Sequence, residues 1–480
     1  MKGRAIGAAA LLSIAIHLPA LRGDFVYDDR YYVVLNPSLG SVRDLPQILV
    51  HSSHHHLGLA GHWRPVAFLS WGLDMVTWGR GASGPRALPF HLTSILLHAL
   101  VTALLGLAAR PFAGEGPATM AAALFAVHPV HVESVAWISA RSEILSLLFC
   151  LLAILALRIP AAGARSAAVG GLALLAYGSK ESAFVLPAYL AVVGFAMKRR
   201  RAALAAPVLS ALASLAAFVP LRNLIMSADP PVVVYYFEGA PFARRIVIAL
   251  HVLDAYARML LWPHPLRVEY FWPGRVPPPL GWIGGVAVLG ATAALLASPR
   301  TRRSGGVLVL GLVALLPVSH LHKLGQLVAE RLAYGASAAF CLVLALGLAS
   351  IAARSRAIGT ALFAGIVVVY GSLTLAQIPV WRSDVSLFEN AVLHAPRSNL
   401  MHKALAGAYV AAGREDGAAR EWAAALALDP ADLEVRYDLA LFQSNHGDDA
   451  GARRTLQSRE IWNDERMGAT GRELWDRLAR

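Results

Sequence analysis

The adjacent carboxylates of Asp28 and Asp29 directly follow the first apolar run of this chain. A neighbouring carboxylate raises the energy of the ionised form, so such a pair suits a proton acceptor or a ligand to a cation. The alternative is a solvated turn after a helix. On sequence spacing alone, both interpretations stay open.

Further ionisable residues interrupt later apolar runs, where a charged side chain is costly unless it faces water or the protein interior. Two histidines and a glutamate in one such segment could ligate a metal, but imidazoles also serve as hydrogen-bond donors, so we predict no metal site. Four cations would together suit an anionic phosphate group, because arginine offers forked donors. Carboxylates adjoin two of these cations and could form simple ion pairs with them. The candidate binding residues are Arg64, His128, His131, Glu133, Arg141, Glu143, Lys180, Glu181, Glu330 and Arg331.

The composition indicates the class of protein that must position these residues. Of 480 residues, 57% are hydrophobic and only 15% are charged, which indicates a polytopic membrane protein. The formal net charge of +13 comes largely from short arginine clusters between apolar runs, a pattern typical of cytoplasmic loops and not of a nucleic-acid surface. Cys150 and Cys341 lie in apolar runs, which excludes a disulfide framework.

Basic residues between the apolar runs predict the topology. Lys2 and Arg4 put the amino terminus inside, and an uncleaved anchor is favoured over a cleaved signal peptide, since the later runs then alternate correctly. The cluster 198–201 is the strongest inside marker. About eleven crossings are predicted, at 5–21, 88–109, 117–130, 142–158, 166–179, 182–197, 203–221, 281–298, 304–318, 330–352 and 358–378.

This topology gathers several polar segments on the outer face. They include the loops 22–87, 128–141 and 222–280, and the last contains an amphipathic stretch, 244–263, that is predicted to be an interfacial helix. An odd number of crossings places the region after residue 380 outside as well. We therefore expect the functional site on the outer face of the membrane.

The last hundred residues have the composition of a soluble helical domain. The stretch 397–430 fits one tetratricopeptide repeat of 34 residues, with Leu405, Tyr409 and Trp422 among its signature positions. Weaker matches on both sides predict about two to two and a half repeats. Such an array could bind a partner chain or could only cap the membrane part, and both alternatives stay open.

Taken in order, these segments resemble the transmembrane and tetratricopeptide-repeat-containing family, relatives of the protein O-mannosyltransferases with the GT-C glycosyltransferase fold. Any single motif is weak, but the ordered set is specific. The segments that carry the resemblance are 25–29, 62–65, 90–98, 125–133 with 141–143, 180–181, and 329–334, which ends in Tyr334.

The resemblance implies an all-α polytopic GT-C membrane domain over 1–380 and a tetratricopeptide-repeat domain over 381–480. It implies transfer of a sugar, mannose or a similar hexose, from a polyprenyl-phosphate donor to a protein hydroxyl with inversion. Asp28 or Asp29 would be the general base, and Tyr334 joins the binding residues. No cofactor is required, and a divalent metal is not favoured. The partners would be the lipid-linked sugar, a protein acceptor, membrane lipid and a protein on the repeats, with no nucleic acid.

The high alanine and arginine content indicates a bacterial inner-membrane protein with a periplasmic active face. Ser182 and Ala183 depart from the family pattern, and the repeat array is shorter than in animal members. The alternatives are a GT-C transferase that decorates lipid or glycan, an oligosaccharyl ligase, or a membrane scaffold that recruits partners through its repeats. A transporter ranks last, because no pair of broken helices stands in matching halves.

Overall fold

The fold is all-α in a computed structural model that describes residues 4–53, 55, 61–82, 84–196, 201–228, 237, 239–270, 272, 277–322, 324–456 and 467–478. The chain divides into two compact units. The membrane unit comprises Met1–Leu266 and Arg275–Arg382, and the carboxyl-terminal unit comprises Arg267–Gly274 and Ser383–Arg480. The strands within the described ranges are β1 (Arg80–Gly81) and β2 (Gly84–Pro85), which form a short antiparallel hairpin.

The membrane unit is built from helices joined by short 3-10 segments. In chain order the helices are α1 (Arg4–His17), α2 (Pro65–Thr77), α3 (Ala87–Ala113), α4 (Glu115–Val127), α5 (Val132–Ala136), α6 (Arg141–Ala156), α7 (Ala162–Ser179), α8 (Leu186–Ala196), α9 (Arg201–Met226), α10 (Phe242–Leu261), α11 (Gly281–Ala297), α12 (Arg302–Leu315), α13 (Tyr334–Arg354) and α14 (Arg356–Gln377).

Six apolar helical segments within the described ranges are long enough to cross a membrane, so the chain is an integral membrane protein. Burial separates their positions in the unit. The segment Ile138–Ala156 has 78% of its most apolar window buried, whereas Ala203–Met226 has only 17% buried. The former is central, and the latter presents its apolar side chains outward, as lipid contact requires. The other four are Arg4–Arg22, Ala87–Ala113, Glu330–Arg354 and Arg356–Arg382.

Each of the eleven apolar runs predicted from sequence forms a helix. Several of these helices are shorter than a membrane is thick, so the count of eleven crossings stays a prediction. The amphipathic stretch is also helical, as α10. It packs closely on α11, where a Cβ on Gly285 would lie 2.2 Å from the carbonyl oxygen of Leu250. Only glycine allows this approach of the two backbones.

A buried ion pair joins three central helices of the membrane unit. The guanidinium of Arg141, at the start of α6, lies 2.6 Å from the carboxylate of Asp74 on α2. It also donates to the Ser94 hydroxyl and the Phe90 carbonyl of α3, at 3.1 and 2.7 Å. Because a buried charge is stable only when its donors are satisfied, this network fixes the arrangement of α2, α3 and α6.

The carboxyl-terminal unit consists of antiparallel helix pairs with side-chain caps. Ser383 forms a capping box with Ser386, and Ser398 and Asp432 each accept a hydrogen bond from the first turn of the helix that follows. The helices are α15 (Asp384–His394), α16 (Asn399–Ala411), α17 (Glu415–Leu428), α18 (Leu433–Asn445), α19 (Asp449–Leu456) and α20 (Met467–Leu478).

Trp422 anchors the core of this unit, packed with Ala406, Ala418, Ala425 and Leu439. Small residues opposite one large aromatic residue allow the helices of a pair to lie close together. The helix pairs have the form that a tetratricopeptide repeat would take, but the repeat assignment itself stays a prediction.

Candidate functional site

Asp29 is a structural anchor in the loop that follows α1. Its carboxylate is fully buried and accepts hydrogen bonds from the Val26 amide at 3.1 Å, from the Ser139 amide at 2.8 Å and from the Ser139 hydroxyl. Burial raises the pKa of Asp29 to about 7, while these hydrogen bonds oppose the rise. Asp29 therefore joins the loop to the segment Ile138–Ala140.

Asp28 differs from Asp29 in its surroundings. Its carboxylate is half-buried and makes no hydrogen bond or ion pair with any residue that the structure describes. Burial raises the pKa of Asp28 to about 6, while the positive charge of Arg331 opposes the rise. The preceding residue, Tyr27, has a φ of +53°, a strained conformation of the kind that concentrates at functional sites.

Arg331, whose charge acts on Asp28, is held by Glu133 and Trp137. Its amide donates to the Glu133 carboxylate at 2.7 Å, and its guanidinium forms an ion pair with the same carboxylate. The guanidinium carbon lies 4.9 Å above the ring of Trp137. Trp137 also contacts the ring of Tyr27, with 5.6 Å between ring centroids. A cation and an aromatic surface thus border the acidic pair.

A second group of charges lies at the turn between α7 and α8. Arg64 contacts the Glu181 carboxylate at 2.8 and 3.0 Å, and Arg222 donates to the same carboxylate at 3.1 Å. Two guanidiniums share one carboxylate, which leaves surplus positive charge at this point. Next to it, Lys180 lies 2.6 Å from the carboxylate of Glu143.

The surroundings of Tyr32 show that the charges near Asp28 and the charges near Glu181 are neighbours. Its hydroxyl is within electrostatic range of Asp28, Arg64 and Arg331, and burial raises its pKa. Lys180 is likewise within range of Arg64 and Arg331. We therefore call these residues together the charged cluster: Asp28, Arg64, Glu133, Glu143, Lys180, Glu181, Arg222 and Arg331.

Four residues predicted at the binding site make their contacts in the protein interior. Arg141 is committed to Asp74, as described above. His128 contacts the Leu260 carbonyl at 3.0 Å, His131 the Ser337 hydroxyl at 2.7 Å, and Tyr334 the ring of His98 at 2.7 Å. Each is fully buried. These contacts join helices, and the prediction that Arg141, His128, His131 and Tyr334 contact the substrate stays a prediction.

The remaining predicted residue, Glu330, is buried in the 3-10 segment Glu330–Ala333, next to Arg331. Sequence reasoning missed Arg222 and Tyr32. Arg222 stands at the outward end of an apolar run, the same signal that identified Lys180, so it could have been found. Within the described residues, no three His, Cys, Asp or Glu side chains converge as metal ligands. That the protein requires no metal stays a prediction.

Several known proteins resemble the chain in sequence. The protein O-mannosyl-transferase Tmtc1 of Drosophila melanogaster is 34% identical over 163 residues, which is 32% of this chain and 18% of that protein. The mouse protein O-mannosyl-transferase TMTC1 is 37% identical over 159 residues, or 31% of this chain and 16% of that protein. The chain therefore spans less than a fifth of these relatives. No protein-family model matches it.

Longer but weaker similarity also exists. The protein O-mannosyl-transferase F38B6.6 of Caenorhabditis elegans is 24% identical over 470 residues, covering 89% of this chain and 64% of that protein. The crystal structure of the Archaeoglobus fulgidus oligosaccharyltransferase aligns with a TM-score of 0.42 and 14% identity, covering 79% of this chain and 56% of that one. This structural likeness is too low to bear on the fold.

Replacing Asp29 should cost more stability than replacing Asp28. In Asp29→Ala the amides of Val26 and Ser139 lose a buried acceptor. We therefore expect the free energy of unfolding to fall by about 3 kcal/mol. In Asp28→Ala no hydrogen bond is lost, so stability should change little. Thermal unfolding of the full chain in lipid nanodiscs at one pH measures both. Equal losses for the two variants would contradict the division of roles.

Proposed function

We propose that the protein is an inverting glycosyltransferase that moves a hexose from a polyprenyl-phosphate donor to a hydroxyl of a protein acceptor, with Asp28 as general base. The observation that carries the proposal is a carboxylate without a hydrogen-bond partner among the described residues, its pKa raised to about 6, beside a cluster of paired cations. Perturbed carboxyl groups in such surroundings are characteristic of catalytic sites.

The reaction would proceed in one displacement. The acceptor oxygen forms a bond to the anomeric carbon while its proton passes to Asp28, and the bond between that carbon and the phosphate oxygen breaks. The departing phosphate monoester carries negative charge and needs stabilisation more than protonation. The surplus positive charge where Arg64 and Arg222 share Glu181 suits this task, with Lys180 and Arg331 nearby.

An apolar cleft supports a lipid-linked donor. The cleft lies between α3, α6, α8, α12 and α13 and is lined by side chains such as Leu105, Leu151, Val193, Leu310 and Leu342. Its walls reach Tyr189 and Gly335. These residues follow Glu181 and Arg331 by eight and four positions, so the cleft leads toward the charged cluster. A flexible isoprenoid chain would fill it while the phosphate stays among the cations.

The relatives support the choice of sugar and acceptor, because three of them are named protein O-mannosyl-transferases. Mannose or a similar hexose and a protein hydroxyl therefore remain our proposal for this chain. We also propose a GT-C fold and an active face in the periplasm of a bacterial inner membrane, with the carboxyl-terminal helices on that side. The arginine-rich segments between apolar runs support this orientation.

Asp28→Asn should abolish transfer, because an amide cannot accept the hydroxyl proton. We expect a rate at least about a hundredfold lower, with unchanged unfolding temperature. Transfer of labelled sugar from a polyprenyl-phosphate donor to acceptor protein is the measurement, and Asp24→Asn, an exposed carboxylate on the same loop, is the matched control. Normal turnover by Asp28→Asn would refute the role of Asp28. Absence of turnover by the wild type with every donor tested would instead favour a scaffold.

The pH dependence of the wild type should report the same group. Asp28 acts as a carboxylate and its pKa is about 6, so kcat/KM should be constant above that pH and should fall with a slope of about one below it. Single-turnover assays across this range, at constant ionic strength, measure the profile. A rate that stays level or rises as the pH drops below 6 would contradict a carboxylate base with this pKa.

A further inference from the structure

Tyr27 is an exposed aromatic residue in a turn that is fixed by two buried residues. The amide of Val26 donates to the carboxylate of Asp29 at 3.1 Å, and both residues are fully buried. Tyr27 lies between them with 36% of its surface exposed and a φ of +53°. A tyrosine in the left-handed region is strained, and such strain persists only where the neighbouring residues fix the backbone. The turn therefore holds an aromatic side chain in one position beside Asp28.

Two buried tryptophans support the ring of Tyr27. The centroids of the Tyr27 and Trp137 rings lie 5.6 Å apart, with 38° between the ring planes. Trp137 in turn stacks on Trp381, with 5.6 Å between centroids and 19° between planes. Trp137 is 4% exposed and Trp381 is 2% exposed, so the accessible surface of this stack is the ring of Tyr27. An aromatic ring that is supported in this way offers a rigid apolar surface.

The side chains of Tyr27 and Asp28 face the same neighbours. Both are within electrostatic range of Arg331. Both are also within electrostatic range of the Tyr32 hydroxyl. Their Cα atoms are about 3.8 Å apart, as in any pair of consecutive residues. The exposed ring of Tyr27 therefore borders the carboxylate of the proposed base.

The proposed reaction places the acceptor next to this ring. In an inverting displacement the base and the leaving phosphate lie on opposite faces of the anomeric carbon. A residue beside the base is therefore placed to contact the acceptor and not the phosphate. The acceptor hydroxyl must lie about 3 Å from the Asp28 carboxylate to transfer its proton. This requirement brings the carbon that bears the hydroxyl close to the ring of Tyr27.

We propose that Tyr27 is a specificity-determining residue for the acceptor, whose ring contacts the methyl group of threonine, so that threonine is preferred to serine. Threonine carries a methyl group on the carbon that bears its hydroxyl, whereas serine carries a hydrogen there. A methyl group that leaves water for an aromatic surface gains about fourfold in binding. The proposal rests on the proposed glycosyltransferase function.

Transfer to two matched peptides tests the preference. The acceptors are acetylated pentapeptides that carry threonine or serine between two alanines on each side. In the wild type, kcat/KM for the threonine peptide should exceed that for the serine peptide about fourfold. Tyr27→Phe keeps the ring and should keep this ratio, whereas Tyr27→Gly should bring the ratio close to one. Glycine adopts a positive φ without strain, so Tyr27→Gly removes the ring and keeps the turn.

A ratio of rates does not depend on the amount of folded enzyme, so a merely structural role of the ring would leave it unchanged. Tyr31→Ala, which removes an exposed tyrosine ring from the same loop, is the matched control. A wild type without preference for threonine, or an unchanged ratio in Tyr27→Gly, would overturn the proposal. A rise in the KM for donor at an unchanged ratio would also overturn it, because the ring would then contact the hexose.

A binding measurement separates this proposal from the catalytic one. The full-length Asp28→Asn variant lacks the base, so its affinity for the two peptides depends on contacts alone. Isothermal titration calorimetry in lipid nanodiscs should show about fourfold tighter binding of the threonine peptide, and equal binding when Tyr27→Gly is added. This preference without any transfer by the wild type would uphold the threonine contact and refute the proposed reaction. Equal affinities in Asp28→Asn, or no measurable affinity for either peptide, would overturn the threonine contact, whatever the transfer activity.

Discussion

The burial of the Asp29 carboxylate is the constraint on which the arrangement of the site depends. Its hydrogen bonds to Val26 and Ser139 join the loop that follows α1 to the segment that begins the central helix. Asp29 is buried by these bonds, whereas the neighbouring Asp28 is half-buried and near the charge of Arg331. Trp137, the residue before the segment Ile138–Ala140, lies against the guanidinium of Arg331. One buried carboxylate thus fixes the loop that carries Asp28 next to the segment that follows Trp137.

The pairing of charges distinguishes Asp28 from the other carboxylates of the site. In surroundings of low dielectric an unpaired charge is costly, so charged side chains that are buried usually occur in pairs. Glu133, Glu143 and Glu181 each have a cationic partner, whereas Asp28 forms no ion pair with a described residue. Asp28 responds with a raised pKa, and a fourth cation, Arg222, shares Glu181. The cluster holds four cations and four carboxylates, so it combines a proton acceptor with cations that can face a phosphate, the two functions that a displacement at a sugar phosphate requires.

The sequence predicts much of this arrangement, because local patterns encode it. The length of the apolar runs predicts their helices, and the charges at the ends of these runs predict Lys180 and Arg331 in the cluster. The prediction of Arg64 comes from the polar loop 22–87. Burial depends on tertiary contacts and is not encoded locally. Arg141 resembles the other cations in sequence, yet Asp74 of a distant helix pairs with it in the interior. For the same reason, spacing alone could not distinguish Asp28 from Asp29.

The most direct test of the account is an electron cryomicroscopy structure of the full chain with a non-transferable polyprenyl-phosphate hexose analogue. An inverting displacement requires the base and the leaving group on opposite faces of the anomeric carbon. We predict the phosphate among the cations, the isoprenoid chain in the apolar cleft, and the Asp28 carboxylate opposite the phosphate, across a gap that admits one hydroxyl oxygen about 3 Å from each reacting atom. An analogue bound away from the charged cluster, or a phosphate on the same face as Asp28, would contradict the account.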